Sequence, residues 1–170
     1  MGSRTIVGFI LGACVMDEAL AGGGINRALV HMPAWRHVRP IAWATFSRYA
    51  DLGMRALVLY PLEAFSGMIL SVLAAFLLTR IRATPLSAKA PVHAAALFTL
   101  GGLLFTIKAA PIMLNVRYLD NDSELLQRAF DGFEFWGGLR SLSQGLGFLA
   151  NLLSLVAVSR LAGQRPEDSA

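Results

Sequence analysis

Four apolar runs, each long enough to cross a lipid bilayer, constrain this 170-residue chain more than any other feature. A spanning helix needs about 20 mostly apolar residues. Thr5–Ile25, Ala56–Leu78, Pro91–Val116 and Trp136–Leu161 each supply them, and the last two are long enough to tilt. Only 15% of the residues are charged and mean hydropathy is +0.56. A water-soluble domain carries about 25% charged residues, so lipid is the expected main solvent. The runs predict an all-α fold, an integral membrane four-helix bundle that is roughly antiparallel. It forms one domain over 1–163, followed by a polar tail at 164–170.

An even number of spans places both termini on one side, and Lys and Arg in the loops choose that side. The short stretch Arg80–Lys89 is purely basic, whereas Asp120–Glu134 is acidic and the first connection is long. Both termini are therefore expected inside. The first run also has the parts of a cleavable signal peptide: Arg4, an apolar Ile6–Met16 and the small-residue site Ala19-Leu20-Ala21. Apolar character resumes after Asp17 and Glu18, which favours a retained span.

The first connection, Arg27 to Arg55, is punctuated by Pro33 and Pro40. Within it Ile41–Leu52 predicts a short helix with Trp43, Phe46 and Ala50 on one face. Trp35, Trp43 and Tyr49 alternate with Arg36, Arg39 and Arg48, a pattern that suits an interfacial segment. In the third connection Asn121, Asp122 or Ser123 can cap a turn presenting Leu125, Leu126 and Phe130. Together these segments are expected to form a lid over the outer end of the bundle.

Each run contains ionisable residues where a span should carry none. Placed by helical rise, Asp17, Glu18, Glu63, Lys108 and Arg140 fall at about 18–25 Å from the inner side, with Gln144 below Arg140. A charge facing lipid at the membrane centre costs about 2.5–3.5 kcal/mol on the most lenient scale, so these residues are expected to face inward as a mixed-charge ring. Helix stripes agree: Asp17 shares a face with the small residues Ala13, Ala21 and Gly24, and Arg140, Gln144, Gly147 and Asn151 share another. Three uses of such a ring stand side by side: a structural network fixing helix register, a ligand or catalytic pocket under the lid, and a proton path.

Several classes are excluded. A single cysteine, Cys14, allows neither an internal disulfide nor a CxxC pair. A net charge of +4, scattered at segment ends, makes no nucleic-acid footprint. Gly22-Gly23-Gly24 follows no strand and so is no nucleotide loop. His31 and His37 are not at a helical-face spacing and lack a third ligand, and only His93 lies near a span, which argues against metal and haem. The sequence points to no cofactor.

The segment Trp43-Ala44-Thr45-Phe46-Ser47-Arg48-Tyr49-Ala50-Asp51-Leu52-Gly53, running into Leu59-Tyr60-Pro61-Leu62-Glu63, resembles bacterial four-span membrane proteins of unknown function. Those are similar to the anthrone-oxygenase-like membrane family, which has four helices and a long first connection. Ile25-Asn26-Arg27-Ala28 is similar to that family's stretch after its first span. The resemblance implies a cofactor-free oxygenase or another oxidoreductase acting on a hydrophobic polycyclic substrate; the expected location is the bacterial inner membrane, where the loop charges put both termini in the cytoplasm. No catalytic residue is carried over from it.

The expectation from the residues is a pocket that binds, and could oxidise, a lipophilic small molecule, with the bilayer as the other partner. Asp17 and Glu63 are the acid/base candidates, since carboxyls withdrawn from water suit that work. Lys108 and Arg140 would stabilise an anionic oxygen, and Glu18, Gln144 and Asn151 would line the ligand. The alternatives are a small proton-coupled transporter, built as a homo-oligomer, and an accessory subunit of a larger membrane complex.

Overall fold

The computed structural model describes residues 3–81 and 84–163, and every described element is helical. α1 (Ser3–Asn26) passes through a π turn (Arg27–His31) into α2 (Met32–Val38); α3 (Pro40–Tyr49), α4 (Met54–Thr79), α5 (Leu86–Asn115) and α6 (Ser123–Gly163) follow. Four helices are long and apolar enough to cross a membrane: Thr5–Val38, which includes the π turn, Met54–Thr79, Leu86–Asn115 and Ser123–Leu161. The polar tail at 164–170 lies outside the described residues.

α1 packs against α4 and α6, and α5 against the same two, so the four long helices close into a ring of neighbours. At one end Ile6, Ile10 and Cys14 of α1 meet Ala74, Ala75 and Leu78 of α4, Val92 and Ala96 of α5 and Val158 of α6. At the other end Met32, Trp43 and Ala44 meet Ala109, Met113 and Val116 of α5 and Leu126, Phe130 and Phe133 of α6. Between these apolar clusters lies a waist of small and polar side chains, with Asp17, Ser71, Thr99, Ser143, Gln144 and Asn151 all buried.

The first connection is more helical than its prolines suggested. Pro33 has no N–H to give to a carbonyl one turn back. The chain widens there instead of stopping, and Met32 N–H donates to Arg27 O in the five-residue step of a π turn. The helix ends only at Arg39, whose φ of 98° and ψ of 151° lie in a region that glycine favours. Pro40 then opens α3.

α3 also turns a different face inward than expected. Trp43, Ala44 and Ser47 are buried, while Phe46 and Ala50 are exposed. Phe46 stacks instead on Trp35 of α2, with ring centroids 5.2 Å apart. The third connection shrinks to Val116–Asp122, because α6 begins at Ser123 and runs without a break through the predicted lid. Asp122 caps it, its carboxylate accepting from Glu124 N–H at 2.9 Å and Leu125 N–H at 3.2 Å. Leu126 and Phe130 are buried as expected, whereas Leu125 is exposed.

The exposed Arg39 side chain contributes nothing that would offset its backbone conformation. Relief of strain worth about 1–3 kcal/mol outweighs the roughly 0.5–1 kcal/mol of extra chain entropy that glycine loses on folding. Arg39→Gly is therefore expected to stabilise by about 1 kcal/mol, raising the thermal midpoint in detergent by about 2–4 °C. Arg39→Ala should give no such rise, and equal midpoints for the two variants would contradict the strain.

Candidate functional site

The ionisable residues that sequence depth put in one ring occupy two levels and the outside. Asp17, 3% exposed, accepts a hydrogen bond from Asn151 Nδ2 at 2.7 Å, and the same amide donates to Ser71 Oγ at 3.2 Å. Residues from α1 and α4 thus meet on one amide of α6. Gly67, one turn from Ser71, makes room for the carboxyl: a Cβ there would stand 2.7 Å from Asp17 Oδ1. Gln144 is buried between glycines, with its Cγ 3.3 Å from a Cβ placed on Gly102 of α5 and its Oε1 3.4 Å from one on Gly24 of α1.

Arg140 stands three turns of α6 away from Asn151, about 16 Å by helical rise. It is half-buried at the end of the molecule covered by α2 and α3, within electrostatic range of Arg27, Asp51 and Tyr60. The remaining members do not join either level. Glu63 is half-buried one turn before Gly67 on the same stripe of α4, Glu18 is exposed, and Lys108 is exposed on the outer face of α5 near Leu104 and Ile107. Among the described residues no ion pair involves Asp17, Glu18, Glu63, Lys108 or Arg140. The five-charge ring is not assembled. The reason for Lys108 is that α5 turns Gly102, Ala109 and Met113 inward, and a long aliphatic stem can lie along an apolar exterior with its ammonium displaced toward water.

What covers Arg140 is a roof held by charge pairs that loop-by-loop reading did not connect. Arg27 of the π turn pairs with Asp51 between α3 and α4, and its guanidinium lies 5.9 Å from the Phe133 ring centroid. Arg36 of α2 pairs with Glu134 of α6. Arg48 of α3 donates to Val116 O at 3.2 Å and also to Leu119 O. Trp43 packs edge-on against Phe130 at 5.5 Å. Trp43, Arg48 and Asp51 all belong to the segment that carried the resemblance, so those residues fasten the roof.

Beneath it lies a cavity of about 120 Å³ lined by Arg27, Ala28, Met32, Phe133, Glu134, Gly137, Gly138, Arg140 and Ser141. Asp17, Glu63 and Lys108 are not among its walls. Around it the hydrogen-bond inventory is incomplete. Arg140 Nε, Asp51 Oδ2, Ser47 Oγ and Trp43 Nε1 are buried without a partner, and every such side-chain atom among the described residues belongs to this roofed end. No group of His, Cys, Asp or Glu that could hold a metal ion occurs among the described residues; His31 instead stacks on Trp35 at 5.4 Å.

No protein-family model, curated protein or solved structure matches the chain. The site is therefore read from its own geometry. Arg27 and Asp51 were missed as site residues because their partnership spans 24 positions of chain. Gly67 and Ser71 had a readable signal, since Glu63, Gly67, Ser71 and Ala75 recur every four residues on α4.

The tight contact at Gly67 gives a stability test. Gly67→Ala must displace Asp17 or separate α1 from α4, at a cost of about 1–3 kcal/mol. Gly22→Ala places its methyl in open space and should be neutral or gain up to about 1 kcal/mol from helix propensity. Thermal midpoints of the two variants in one detergent check this, and equal midpoints would contradict the close approach.

Proposed function

We propose that the chain is an integral membrane protein whose four long helices cross the bilayer in alternating directions, and that the cavity beside Arg140 binds a lipophilic small molecule. The lengths and hydropathy of the four helices support the first part. So does the direction of α1 against α6: Ile6 shares a cluster with Val158, Asp17 meets Asn151, and Gly24 meets Ser141. With alternating spans, the described starts and ends of the bundle share one side, and the basic Arg80–Lys89 stretch makes that side cytoplasmic in a bacterial inner membrane. A fluorescent protein fused after Ala170 should then light up in the cytoplasm. A fusion that is dark there but active as a secreted reporter would reverse the orientation.

The observation that carries the binding reading is Arg140, which lines the cavity and whose buried Nε has no partner. Such an atom costs about 1–3 kcal/mol when left unsatisfied, and native proteins rarely bury one without something to meet it. The waist, by contrast, satisfies its buried carboxyl. Apolar walls at Ala28, Met32 and Phe133 favour a ligand that is mostly hydrocarbon. Oxidation, as the anthrone-oxygenase resemblance implies, would need an acid or base at the bound molecule. Neither Asp17 nor Glu63 lines the cavity, so binding alone is proposed.

Gly138 offers the test, because it lines the cavity and a Cβ there meets nothing within 4 Å. Gly138→Leu is expected to fill the space without disturbing the backbone, leaving folded yield near normal. Protein purified in a mild neutral detergent should carry a lipophile, seen by native mass spectrometry, at occupancy at least about tenfold above that of the variant, the effect of losing roughly 1.4 kcal/mol. Equal occupancy in the two proteins would remove the cavity as the binding site.

A further inference from the structure

Resting on the binding reading above, we infer that the cavity between the π turn and α6 receives the anionic head group, a carboxylate or a phosphate, of an alkyl lipophile, with Arg140 as its donor. Arg27 and Arg140 face the single nearby carboxylate of Asp51, and Asp51 is already paired with Arg27. Arg27 is further engaged over the face of Phe133. Glu134 also lines the cavity, but its carboxylate is held by Arg36 on α2. One guanidinium at this end therefore has no counter-charge.

Arg140 makes no hydrogen bond or ion pair among the described residues, and its Nε is buried. A guanidinium cannot shed its proton in a protein and presents five donors in a planar fork. Water entering the cavity could satisfy a donor but would leave the charge. A carboxylate or phosphate satisfies both, because two of its oxygens match the fork. Ser141 gives its hydroxyl proton to Gly137 O at 2.8 Å and adds no negative charge, which leaves the guanidinium as the donor there.

A space of about 120 Å³ admits a head group but not a long chain. Gly138 opens one wall onto empty space, and Ile25 and Leu142, from the same two helices, are exposed apolar residues. The chain of the ligand can leave through that wall and lie along the apolar exterior where α1 and α6 meet. A lipid-derived anion and a free inorganic anion share the head-group chemistry but differ in this tail.

Dodecyl phosphate, dodecanoate, dodecanol and inorganic phosphate, each titrated at pH 8 into the full chain in a maltoside detergent, separate the possibilities. Dissociation constants come from native mass spectrometry with thermal shift as a second readout. The two alkyl anions are expected to bind about 10- to 100-fold more tightly than dodecanol, the range for charge-assisted hydrogen bonds. Arg140→Gln should abolish that preference, bringing the alkyl anions to the affinity that the same variant shows for dodecanol. Arg140→Lys, which keeps charge without the fork, should retain part of it. Alkyl anions and dodecanol binding alike to the wild-type protein would overturn the head-group assignment and leave the binding reading intact, a result that needs no variant to fold. No binding of any alkyl probe would overturn both. Inorganic phosphate binding as tightly as dodecyl phosphate would overturn the alkyl lipophile and mark Arg140 as a site for a free anion. A preference that survives in a folded Arg140→Gln would move the anion elsewhere and overturn the role of Arg140.

Discussion

The hydrogen bond from Asn151 to Asp17 ties the first long helix to the last and sets the register between them. A carboxyl withdrawn from water in this way needs a donor with good geometry. Asn151 supplies it, using its remaining proton on Ser71 to bring α4 to the same point. Rotating α1 by one residue, about 100°, would carry Asp17 out of this contact. With that register set, Gly24 comes to lie under Ser141 and Gln144, and Arg27 arrives beside Arg140. The small side of α1 at Ala13, Ala21 and Gly24 and the gap at Gly67 are what let the backbones come close enough for the bond to form.

Much of this was legible in the sequence at the scale of single helices. The four apolar runs coincide with the four long apolar helices. The stripe of Gln144, Gly147 and Asn151 is buried, as its spacing implied, and Asp17 lies on the small-residue face of α1. Comparisons between helices were less reliable. Depths counted from assumed helix ends drift by 1.5 Å for every residue of error. α6 is 41 residues long, where hydropathy alone marked a shorter span. The added turns lie at the outer end of α6, however, and Arg140 stands 21 residues before Leu161, about 31 Å by helical rise, so it belongs to a level beyond Asp17.

The roof was harder still. Pro33 and Pro40 read as breaks, yet only the second separates two helices, because a π turn absorbs the first. The buried face of α3 depends on where Phe130 and Phe133 stand, and no local pattern contains that. Arg27 and Asp51 looked like ordinary loop charges for the same reason. Their meaning is tertiary. The two polar levels consequently divide the labour in a way that periodicity could not show: the waist completes its hydrogen bonds and fixes helix register, while the roofed end leaves donors, an acceptor and a charge unmet.

The length of α6 has a mechanical consequence. At 1.5 Å per residue its 41 residues extend for about 61 Å, twice the roughly 30 Å thickness of a hydrocarbon core. The continuous path from α1 through the π turn into α2 is a second such strut, standing beside it at the same end. The covering over Arg140 is thus carried on two stiff posts and cross-braced by Arg36 and Glu134, and does not hang from loops. Such a frame cannot swing like a flap; admitting anything large requires one post to flex. The π turn, with its widened hydrogen-bond step directly beside the cavity wall at Arg27 and Ala28, is where that flexing is cheapest. The same few residues that accommodate a proline are thus also part of the cavity wall.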